Sequence, residues 1–478
     1  MFNSMIKKNK IYFFILILCI FSRLITSIFY IEDIDSLRFA LSIKEYDISK
    51  LQPHFPGYLI FCFIVKAIHF FIGNNGYTFS IVGGLSIFIM ILSILKIADL
   101  KIDSISGCFL SFLIFYNPLF WIMSNRYMPD LFGLSIVLFS FYLLTNKEKS
   151  TNKYKLGLFI VGLLGGIRLS YLPILLIPCI LYAMNNYKKP FHIFYLIFGI
   201  FSWLIPMTLI QGIEDLFYIG NRHTLGHFFE YGGTVFTDSI WSTRLYSLFI
   251  TIWADGLGAY ALGRHPITVI LSIFIFILLA FGMKSLKENS KLFERYKILL
   301  LSSLVYLVWV LLFQNIIYKS RHILPLIVVF IITMMEGQRY LFSKNYLRYN
   351  KYMIIFFINI IIITTTLTTQ HKNPTAIAQL KDELIKNRTS NNIVSIPLVN
   401  YYLKTHGINA LYIDALNNKE INDFKNIDNK GETLVVGEFS ELFKSDFEIK
   451  KSNEYYHNPY VNKMWSELKT FSIVEKNE

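Results

Sequence analysis

Long apolar runs alternate with short basic loops along most of this sequence. A membrane-spanning helix needs about 20 apolar residues, and many of the runs approach that length. The pattern therefore predicts a polytopic α-helical membrane protein with about eleven transmembrane helices. The first ends at about Tyr30, and the others lie near 77–96, 105–125, 131–145, 156–171, 172–186, 191–210, 266–283, 296–317, 320–336 and 352–370.

The basic loops orient these helices, because short loops rich in Lys and Arg are retained in the cytoplasm. The strongest are 147–155, 188–189, 284–297 and 339–351. They predict a cytoplasmic N-terminus and an external C-terminus. The basic start MFNSMIKKNK precedes an apolar run that has no small-residue cleavage site, so we expect the first run to stay as an anchor.

The number of membrane crossings limits the interpretation of the apolar run 58–72. If the first span ends outside and the helix at 77–96 enters from outside, this run cannot cross and must be re-entrant or lie on the membrane surface. The stretch 31–76 is then one external loop with juxtamembrane helices. A second large external region is expected at 211–265, and its part 241–263 either lies in the interface or crosses.

Composition changes near Gln370, where Asn, Lys, Asp and Glu increase. Short β-like runs (NIVSIPLV, ALYIDAL, ETLVVGE) alternate there with helical ones such as KNPTAIAQLKDELIK. These patterns predict a transmembrane domain over 1–371 and a small external soluble α/β domain over 372–478.

Composition excludes an ordinary soluble protein, since 54% of the residues are hydrophobic and 16% are charged. The net charge of +14 would suggest nucleic acid in a soluble chain. Here the basic residues collect in the short loops, so they set topology and no nucleic-acid partner is expected. The four cysteines lie in apolar runs, and none follows Thr375, so the C-terminal domain has no disulfide framework.

Chemistry is expected first in the segment IEDIDSLRFALSIKEYDISKLQPHFPGY, directly behind the first span. Asp35 or Asp33 could accept a proton from a hydroxyl group, with Glu32 beside them. His54 could orient a phosphate or a carboxylate. Helix capping by Asp35 and Ser36, followed by a turn, explains the same residues without chemistry.

Three further groups are predicted on the external side. Arg126 and Asp130 arrive at the end of a span, where Asp130 either caps a helix or holds a cation beside the first carboxylates. Arg168, in GGIRLSYLP, either binds an anion or snorkels to the interface. The turn YKSRHILP places Lys319, Arg321 and His322 outside, against the positive-inside tendency.

A phosphate-bearing substrate would account for that turn, because the guanidinium fork matches phosphate oxygens. Metal dependence stays open, since Asp35, Asp130 and His54 could hold a divalent ion. The predicted substrate-binding residues are Glu32, Asp33, His54, Arg126, Asp130, Arg168, Lys319, Arg321 and His322.

Taken in order, these motifs resemble the GT-C superfamily of integral-membrane glycosyltransferases. The nearest relatives would be bacterial proteins similar to protein O-mannosyltransferases and lipid A aminoarabinose transferases. The resemblance covers residues 1 to about 370 and rests on the acidic residues behind the first span, DSLRFALSIKEYD, PHFPGY, an NP-x-x-W stretch ending in YMPD, GIRLS followed by Pro, and SRHILP.

The resemblance implies a polyprenyl-phosphate sugar donor, an external active site in a bacterial plasma membrane, and an inverting transfer to a hydroxyl of a glycan, lipid or protein. It implies that Asp35 is the catalytic base, with Glu32 and Asp33 as competitors. The family's second acidic position falls on Asp130 and its late basic position on Arg321.

Two departures concern the acceptor. Relatives often read HPPG where this chain has HFPG at 54–57, and the acidic residues here are spaced as Glu32, Asp33 and Asp35 rather than forming an adjacent Asp-Glu pair. Two other classes remain as alternatives. One is a polyprenyl-linked oligosaccharide polymerase or ligase, and the other is a lipid or polysaccharide transporter, which should place its polar residues at the bilayer midplane.

Overall fold

The computed structural model describes residues 2–146, 150–185, 190–344, 350–387, 392–426, 432–443 and 447–475. The chain divides into two compact units. The first consists of Met1–Ile28 and Phe39–Thr369, and the second of Phe29–Arg38 and Gln370–Glu478. The composition change near Gln370 therefore coincides with a change of unit. The short N-terminal piece of the second unit had no signal in the sequence.

Helices build the first unit, as expected where lipid offers the backbone no hydrogen bonds. Those up to the middle of the chain are α1 (Phe2–Ile25), α2 (Ile34–Lys44), α3 (Leu59–Ile72), α4 (Asn75–Ala98), α5 (Ile105–Phe115), α6 (Pro118–Asn125), α7 (Asp130–Thr145), α8 (Thr151–Leu163), α9 (Gly165–Arg168) and α10 (Leu176–Asn185), with a 3-10 turn at Leu169–Leu175.

The later helices follow the same pattern. They are α11 (Ile193–Gln211), α12 (Ile213–Phe229), α13 (Trp241–Ile250), α14 (Ile267–Glu288), α15 (Ser290–Phe313), α16 (Leu324–Ser343) and α17 (Asn350–His371), with 3-10 turns at Pro190–His192 and Ser320–Ile323 and a π-helical turn at Thr251–Gly256.

Within the described ranges, seven helical segments are long and apolar enough to cross a membrane, or eight if the pair α5 and α6, bent by 51°, counts as one span. The predicted eleven spans are not confirmed. The mostly helical, multi-span architecture is confirmed. The seven segments are Asn75–Ala98, Gly165–Asn185, Ile193–Gln211, Ile267–Glu288, Ser290–Phe313, Ser320–Ser343 and Lys351–Asn387.

The spans predicted at 156–171 and 172–186 divide differently in the structure. α8 ends at Leu163, and the apolar segment Gly165–Asn185 runs through the predicted boundary. Pro173 lies inside the 3-10 turn of that segment, where its missing N–H interrupts regular helix. The apolar segment therefore continues through the proline.

The run predicted not to cross is the 14-residue helix α3. At 1.5 Å per residue, a helix of this length is about 21 Å long, shorter than a hydrocarbon core of about 30 Å. Its non-crossing position stays a prediction, which this length supports. In the stretch 241–263, the 10-residue α13 and the π-helical turn are too short to be candidate spans.

The second unit contains the small C-terminal sheet domain expected from composition. Its helices are α18 (Ala376–Asn387), α19 (Pro397–Thr405) and α20 (Asn418–Lys425), and its strands are β1 (Asn392–Ser395), β2 (Leu411–Asp414), β3 (Thr433–Val436), β4 (Phe447–Tyr456) and β5 (Glu467–Glu475).

The strand order is β2-β1-β3-β5-β4. β1 pairs in parallel with β2 and β3, whereas β5 pairs antiparallel with β3 and β4. Parallel strands need crossover helices, and α19 and α20 supply them. The core of this unit includes the buried side chains of Val394, Ile413, Phe424, Val435 and Ile473.

Candidate functional site

A buried ion cluster forms around Asp130, the first residue of α7. Its Oδ1 lies 2.7 Å from Arg168 Nη2 and 3.7 Å from Arg321 Nε. Asp130 is 1% exposed, Arg168 5% and Arg321 6%. The carboxylate therefore pairs with two guanidinium groups, and neither of its oxygens accepts a hydrogen bond from the backbone at the start of α7. We call Asp130, Arg168 and Arg321 the arginine cluster.

Helix packing brings Arg168 to this point. It ends α9, and a Cβ added at Gly133 of α7 would lie 2.6 Å from Arg168 Cβ. Any larger residue at Gly133 would push the two segments apart. Since Gly133 lies one turn after Asp130, the bare face of α7 lets the guanidinium reach the carboxylate.

Tyr58 continues the cluster toward the first external loop. Its hydroxyl accepts a hydrogen bond from Arg168 Nη1 at 3.0 Å and lies 3.3 Å from His54 Nε2. Gly57 precedes it with φ of +87°, and a Cβ there would lie 2.6 Å from the Tyr46 hydroxyl. The glycine in HFPGY thus allows the turn that directs Tyr58 at Arg168.

Two more tyrosines hold the turn that carries Arg321. The Tyr171 hydroxyl donates to the Arg321 carbonyl at 3.3 Å, and the Tyr306 hydroxyl donates to the His322 carbonyl at 2.9 Å. Both tyrosines are fully buried. These bonds to the backbone fix the 3-10 turn Ser320–Ile323 while leaving the Arg321 side chain to the cluster.

The arginine cluster brings two buried guanidinium groups to one carboxylate. Guanidinium groups match the oxygens of phosphates and carboxylates. Among the residues that the structure describes, the buried Arg168 Nε atom, a donor, has no hydrogen-bond partner. An unsatisfied donor on a buried guanidinium group is suited to an anionic ligand.

Histidines of α12, which the sequence analysis did not select, lie beside the predicted ones. The His223 ring is 5.5 Å from the His54 ring, and His227 Nε2 donates to the Phe313 carbonyl at 3.0 Å. Burial lowers the pKa of His227, and the charges of Lys319 and Arg168 lower it further. Their spacing of four residues puts both histidines on one face of α12, the signal that could have identified them.

Asp255 is another buried acid that the sequence analysis did not select. It lies in the π-helical turn Thr251–Gly256 and is 5% exposed. Its Oδ2 accepts a hydrogen bond from the Ser320 hydroxyl at 2.5 Å. Asp255 thus secures the start of the turn that carries Arg321 and His322.

The remaining predicted residues of the first unit lie close in sequence to members of the arginine cluster. Lys319 directly precedes the 3-10 turn and is half-buried, and His322 lies within the turn and is buried. Arg126 is buried directly after α6. Two residues later, Met128 Sδ lies 3.3 Å from Arg321 Nη1. The fold thus groups residues that sequence analysis could select only one by one.

The acidic residues behind the first span belong to the second unit and have separate partners. Asp33 caps α2, because its Oδ1 accepts the Ser36 amide at 2.8 Å. Glu32 Oε1 lies 2.8 Å from His371 Nε2, and both side chains are fully buried. Asp35, in the first turn of α2, lies 3.4 Å from Arg38 Nη1. The cap of α2 is therefore Asp33, not Asp35 or Ser36.

Metal binding gains no support from the geometry. In the part of the chain that the structure describes, no group of three His, Cys, Asp or Glu side chains is arranged to hold a metal ion. Metal dependence stays open, as the sequence analysis left it.

The fold of this chain is similar to that of solved structures. No family model and no curated protein matches the sequence. Among solved structures, ArnT from Cupriavidus metallidurans bound to undecaprenyl phosphate matches with a TM-score of 0.52 and 9% sequence identity, covering 96% of this chain and 97% of that chain. The apo state of ArnT matches with the same TM-score and identity over 98% of both chains.

The chain has a GT-C-like fold. At 9% identity the likeness shows the fold alone, and it confirms the resemblance that the ordered motifs indicated. It extends over the C-terminal unit as well as the helical one, since nearly the whole of each chain is covered. Within the GT-C-like fold, the arginine cluster is the candidate site of the first unit.

Proposed function

We propose that this protein is a membrane glycosyltransferase that moves a sugar from a polyprenyl-phosphate donor to a hydroxyl acceptor on the external face, with inversion. The observation that carries the proposal is the arginine cluster, in which Asp130 holds Arg168 and Arg321 together in a buried site. Two guanidinium groups held side by side match the oxygens of a donor phosphate.

An apolar groove supports a lipid-linked donor. It has a volume of about 410 Å³ and is lined by Leu172, Pro173, Leu176, Val305, Val308, Trp309 and Phe313. Leu172 directly follows Tyr171, and Val305 directly precedes Tyr306, the two tyrosines that hold the Arg321 turn. A molecule with a phosphate head and a hydrocarbon tail fits this succession of charged and apolar surfaces.

The proposed chemistry is a direct displacement at the anomeric carbon. The acceptor oxygen forms its bond to that carbon while the bond to the donor phosphate oxygen breaks. The acceptor proton goes to Asp35, and the departing polyprenyl phosphate takes the electron pair and gains negative charge. Arg168 and Arg321 stabilise that developing charge, since buried guanidinium donors act strongly where water is excluded.

The solved structure with the same fold supports the donor class, because it is described as ArnT bound to undecaprenyl phosphate. By the same likeness we propose a multi-pass protein of the bacterial inner membrane. The basic loops orient it with the N-terminus in the cytoplasm and the C-terminal domain outside. The acceptor is proposed only as a glycan, lipid or protein hydroxyl.

A binding experiment tests the donor site without knowledge of the acceptor. The purified protein in lipid nanodiscs is titrated with undecaprenyl phosphate and, separately, with undecaprenol, which has the same tail without the phosphate. We expect the phosphate to bind at least about tenfold more tightly, since charge-assisted hydrogen bonds contribute about 1.5–3 kcal/mol each. Equal affinity for the two lipids would overturn the donor assignment.

Transfer itself is tested with a panel of radiolabelled polyprenyl-phosphate monosaccharides and total cell-envelope acceptors. Incorporation of label from one donor identifies the sugar. Arg295 offers a matched control for Arg321, because it is also an arginine paired with an acid, Asp99, at 3.3 Å but is partly exposed. Arg295→Ala should leave incorporation unchanged, whereas Arg321→Ala should reduce it at limiting donor.

A further inference from the structure

The segment Phe29–Arg38, which we call the acidic segment, folds with the C-terminal residues of the second unit. Side chains from that unit bind consecutive backbone carbonyls of the segment. The Tyr402 hydroxyl donates to the Ile31 carbonyl at 2.6 Å, and the Thr375 hydroxyl donates to the Glu32 carbonyl at 2.8 Å. The backbone before α2 is therefore held from the C-terminal part of the chain.

The acidic side chains of the segment are held as well. Asn462 Nδ2 donates to Asp33 Oδ2 at 3.3 Å, while the other oxygen of Asp33 caps α2. His371 Nε2 lies 2.8 Å from Glu32 Oε1. Both Asp33 and Asn462 are almost fully buried, at 1% and 4% exposure. One carboxylate thus connects the start of α2 to a residue more than four hundred positions later.

Tyr402 is well suited to this contact. Burial raises the pKa of its hydroxyl, and the neighbouring carboxylates of Asp33, Asp382 and Glu32 raise it further. The hydroxyl therefore stays protonated across the physiological range and remains a donor to the Ile31 carbonyl.

We propose that Asn462 and Tyr402 are positioning residues that fix the start of α2 and thereby the place of Asp35 in its first turn. This inference rests on the proposed function, in which Asp35 is the catalytic base. It assigns Glu32 and Asp33 to holding the segment rather than to the reaction. The C-terminal domain then controls the turnover rate without contacting the reacting atoms.

The test uses a reciprocal exchange of side chains in the full-length protein. Asn462→Asp places a second carboxylate against Asp33 but keeps the Oδ1 acceptor that binds the Met464 amide. Repulsion should displace the segment, lowering kcat about tenfold with donor KM changed less than twofold, because small misplacements of a catalytic group have large effects on rate. Hydrogen–deuterium exchange of residues 29–38 should increase.

The double variant D33N/N462D should restore both readouts to within about twofold of the parent. The amide introduced at position 33 can still accept the Ser36 N–H, since Asn caps helices as well as Asp does, and its NH₂ donates to the carboxylate introduced at position 462. If Asp33 were instead the base, D33N alone would abolish turnover, and adding N462D would not restore it.

Two matched controls separate positioning from general damage to the domain. Tyr455 donates its hydroxyl to Glu383 at 2.7 Å, within the same unit but away from the segment. Tyr402→Phe should increase exchange of residues 29–38 and lower kcat about tenfold, and Tyr455→Phe should do neither. Asn453→Ala, which removes another contact to Glu383 at 3.4 Å, is the corresponding control for Asn462.

The two proposals fail in different ways. Unchanged exchange of residues 29–38 in N462D overturns the positioning role, whatever the turnover. A D33N/N462D protein as impaired as N462D also overturns it. Normal turnover by Asp35→Asn would instead overturn the proposed base, even if hydrogen–deuterium exchange of residues 29–38 increased in N462D as expected.

Discussion

The arginine cluster and the acidic segment both contain carboxylates that sequence analysis selected, but they are built in opposite ways. In the cluster, Asp130, Arg168 and Arg321 are distant in sequence and meet at one buried point. In the segment, Glu32 and Asp33 are adjacent in sequence and bind different partners. Residues that are distant in sequence thus share partners in the fold, and sequence neighbours do not.

The partners indicate the roles. A cluster of two buried guanidinium groups is suited to an anion, whereas carboxylates that cap a helix or pair with a buried histidine are bound by the protein itself. Asp35 contacts Arg38 of its own helix. The comparison thus distinguishes the proposed donor site from the segment that carries the proposed base.

The largest effect is expected at Asp35. Asp35→Asn removes the proposed base while keeping its size, and general-base help contributes about 10²–10⁴-fold, so turnover should fall by at least about 10²-fold. The amount of folded protein in the membrane should stay normal. Measurement is initial-rate transfer with saturating donor. Turnover near the parent rate would remove Asp35 from the mechanism and favour a polymerase or ligase in which this residue is dispensable.

The sequence allowed the prediction for Asp35, but it did not identify the residues that bind Glu32 and Asp33 beside it. The position behind the first span pointed to Glu32, Asp33 and Asp35 together, and the family resemblance selected Asp35 as the base with the other two as competitors. Local sequence cannot show which oxygen a distant side chain will bind. Asn462 and His371 carry no motif, so the partners of Asp33 and Glu32 were invisible.

The next effect concerns stability of the cluster. Arg168→Met should destabilise the protein by about 3–5 kcal/mol, because it leaves Asp130 with only the longer contact to Arg321 in a buried site. Removing both charges in R168M/D130N should recover part of that loss but not donor binding. Thermal unfolding in detergent and undecaprenyl phosphate titration measure the two properties separately.

The control for that experiment is Arg295→Met, whose pair with Asp99 is solvent-accessible and should contribute about 0–1 kcal/mol. If Arg168→Met unfolds no more easily than Arg295→Met, the buried ion pair of the cluster does not contribute the expected stability. Full donor binding by the double variant would equally count against a ligand role for Arg168.

A smaller effect is expected at Arg321, which lies farther from Asp130 and is proposed to meet the phosphate. Arg321→Ala should raise donor KM about tenfold or more, given about 1.5–3 kcal/mol for a hydrogen bond to a charged group. Acceptor KM should change less than twofold. Arg321→Lys should recover only part of the loss, since an ammonium lacks the planar fork. An unchanged donor KM would contradict the assignment.

The cluster was more predictable than its surroundings. Asp130, Arg168, Arg321 and His54 were selected because ionisable groups near apolar spans are costly and rare. Tyr58, Tyr171 and Tyr306 were missed because tyrosine is common in membrane proteins and carries no charge. The bend between α5 and α6 and the continuation through Pro173 were missed because hydropathy shows that a run is apolar, not whether it is straight.

The smallest effect concerns the pH dependence of the second unit, which contains the acidic segment. His406 Nδ1 donates to the Tyr402 carbonyl at 2.7 Å, and burial lowers the pKa of its imidazole below the ordinary 6.5. The unfolded chain therefore takes up this proton at higher pH than the folded chain. Its contribution to stability is fully present above about 6.5 and is lost as pH falls through that value toward the folded pKa.

His406→Gln removes this titration while keeping an N–H donor, so Tm should fall less between pH 7 and pH 5.5 in the variant than in the parent protein. Hydrogen–deuterium exchange of the acidic segment should also increase less between pH 7 and pH 5.5 in the variant than in the parent protein, because Tyr402 holds Ile31. The exposed His265 provides the control, and His265→Gln should keep the parent pH dependence. If His406→Gln also keeps it, protonation at this position does not reach the acidic segment, and its support depends on Asn462 and the Tyr402 hydroxyl alone.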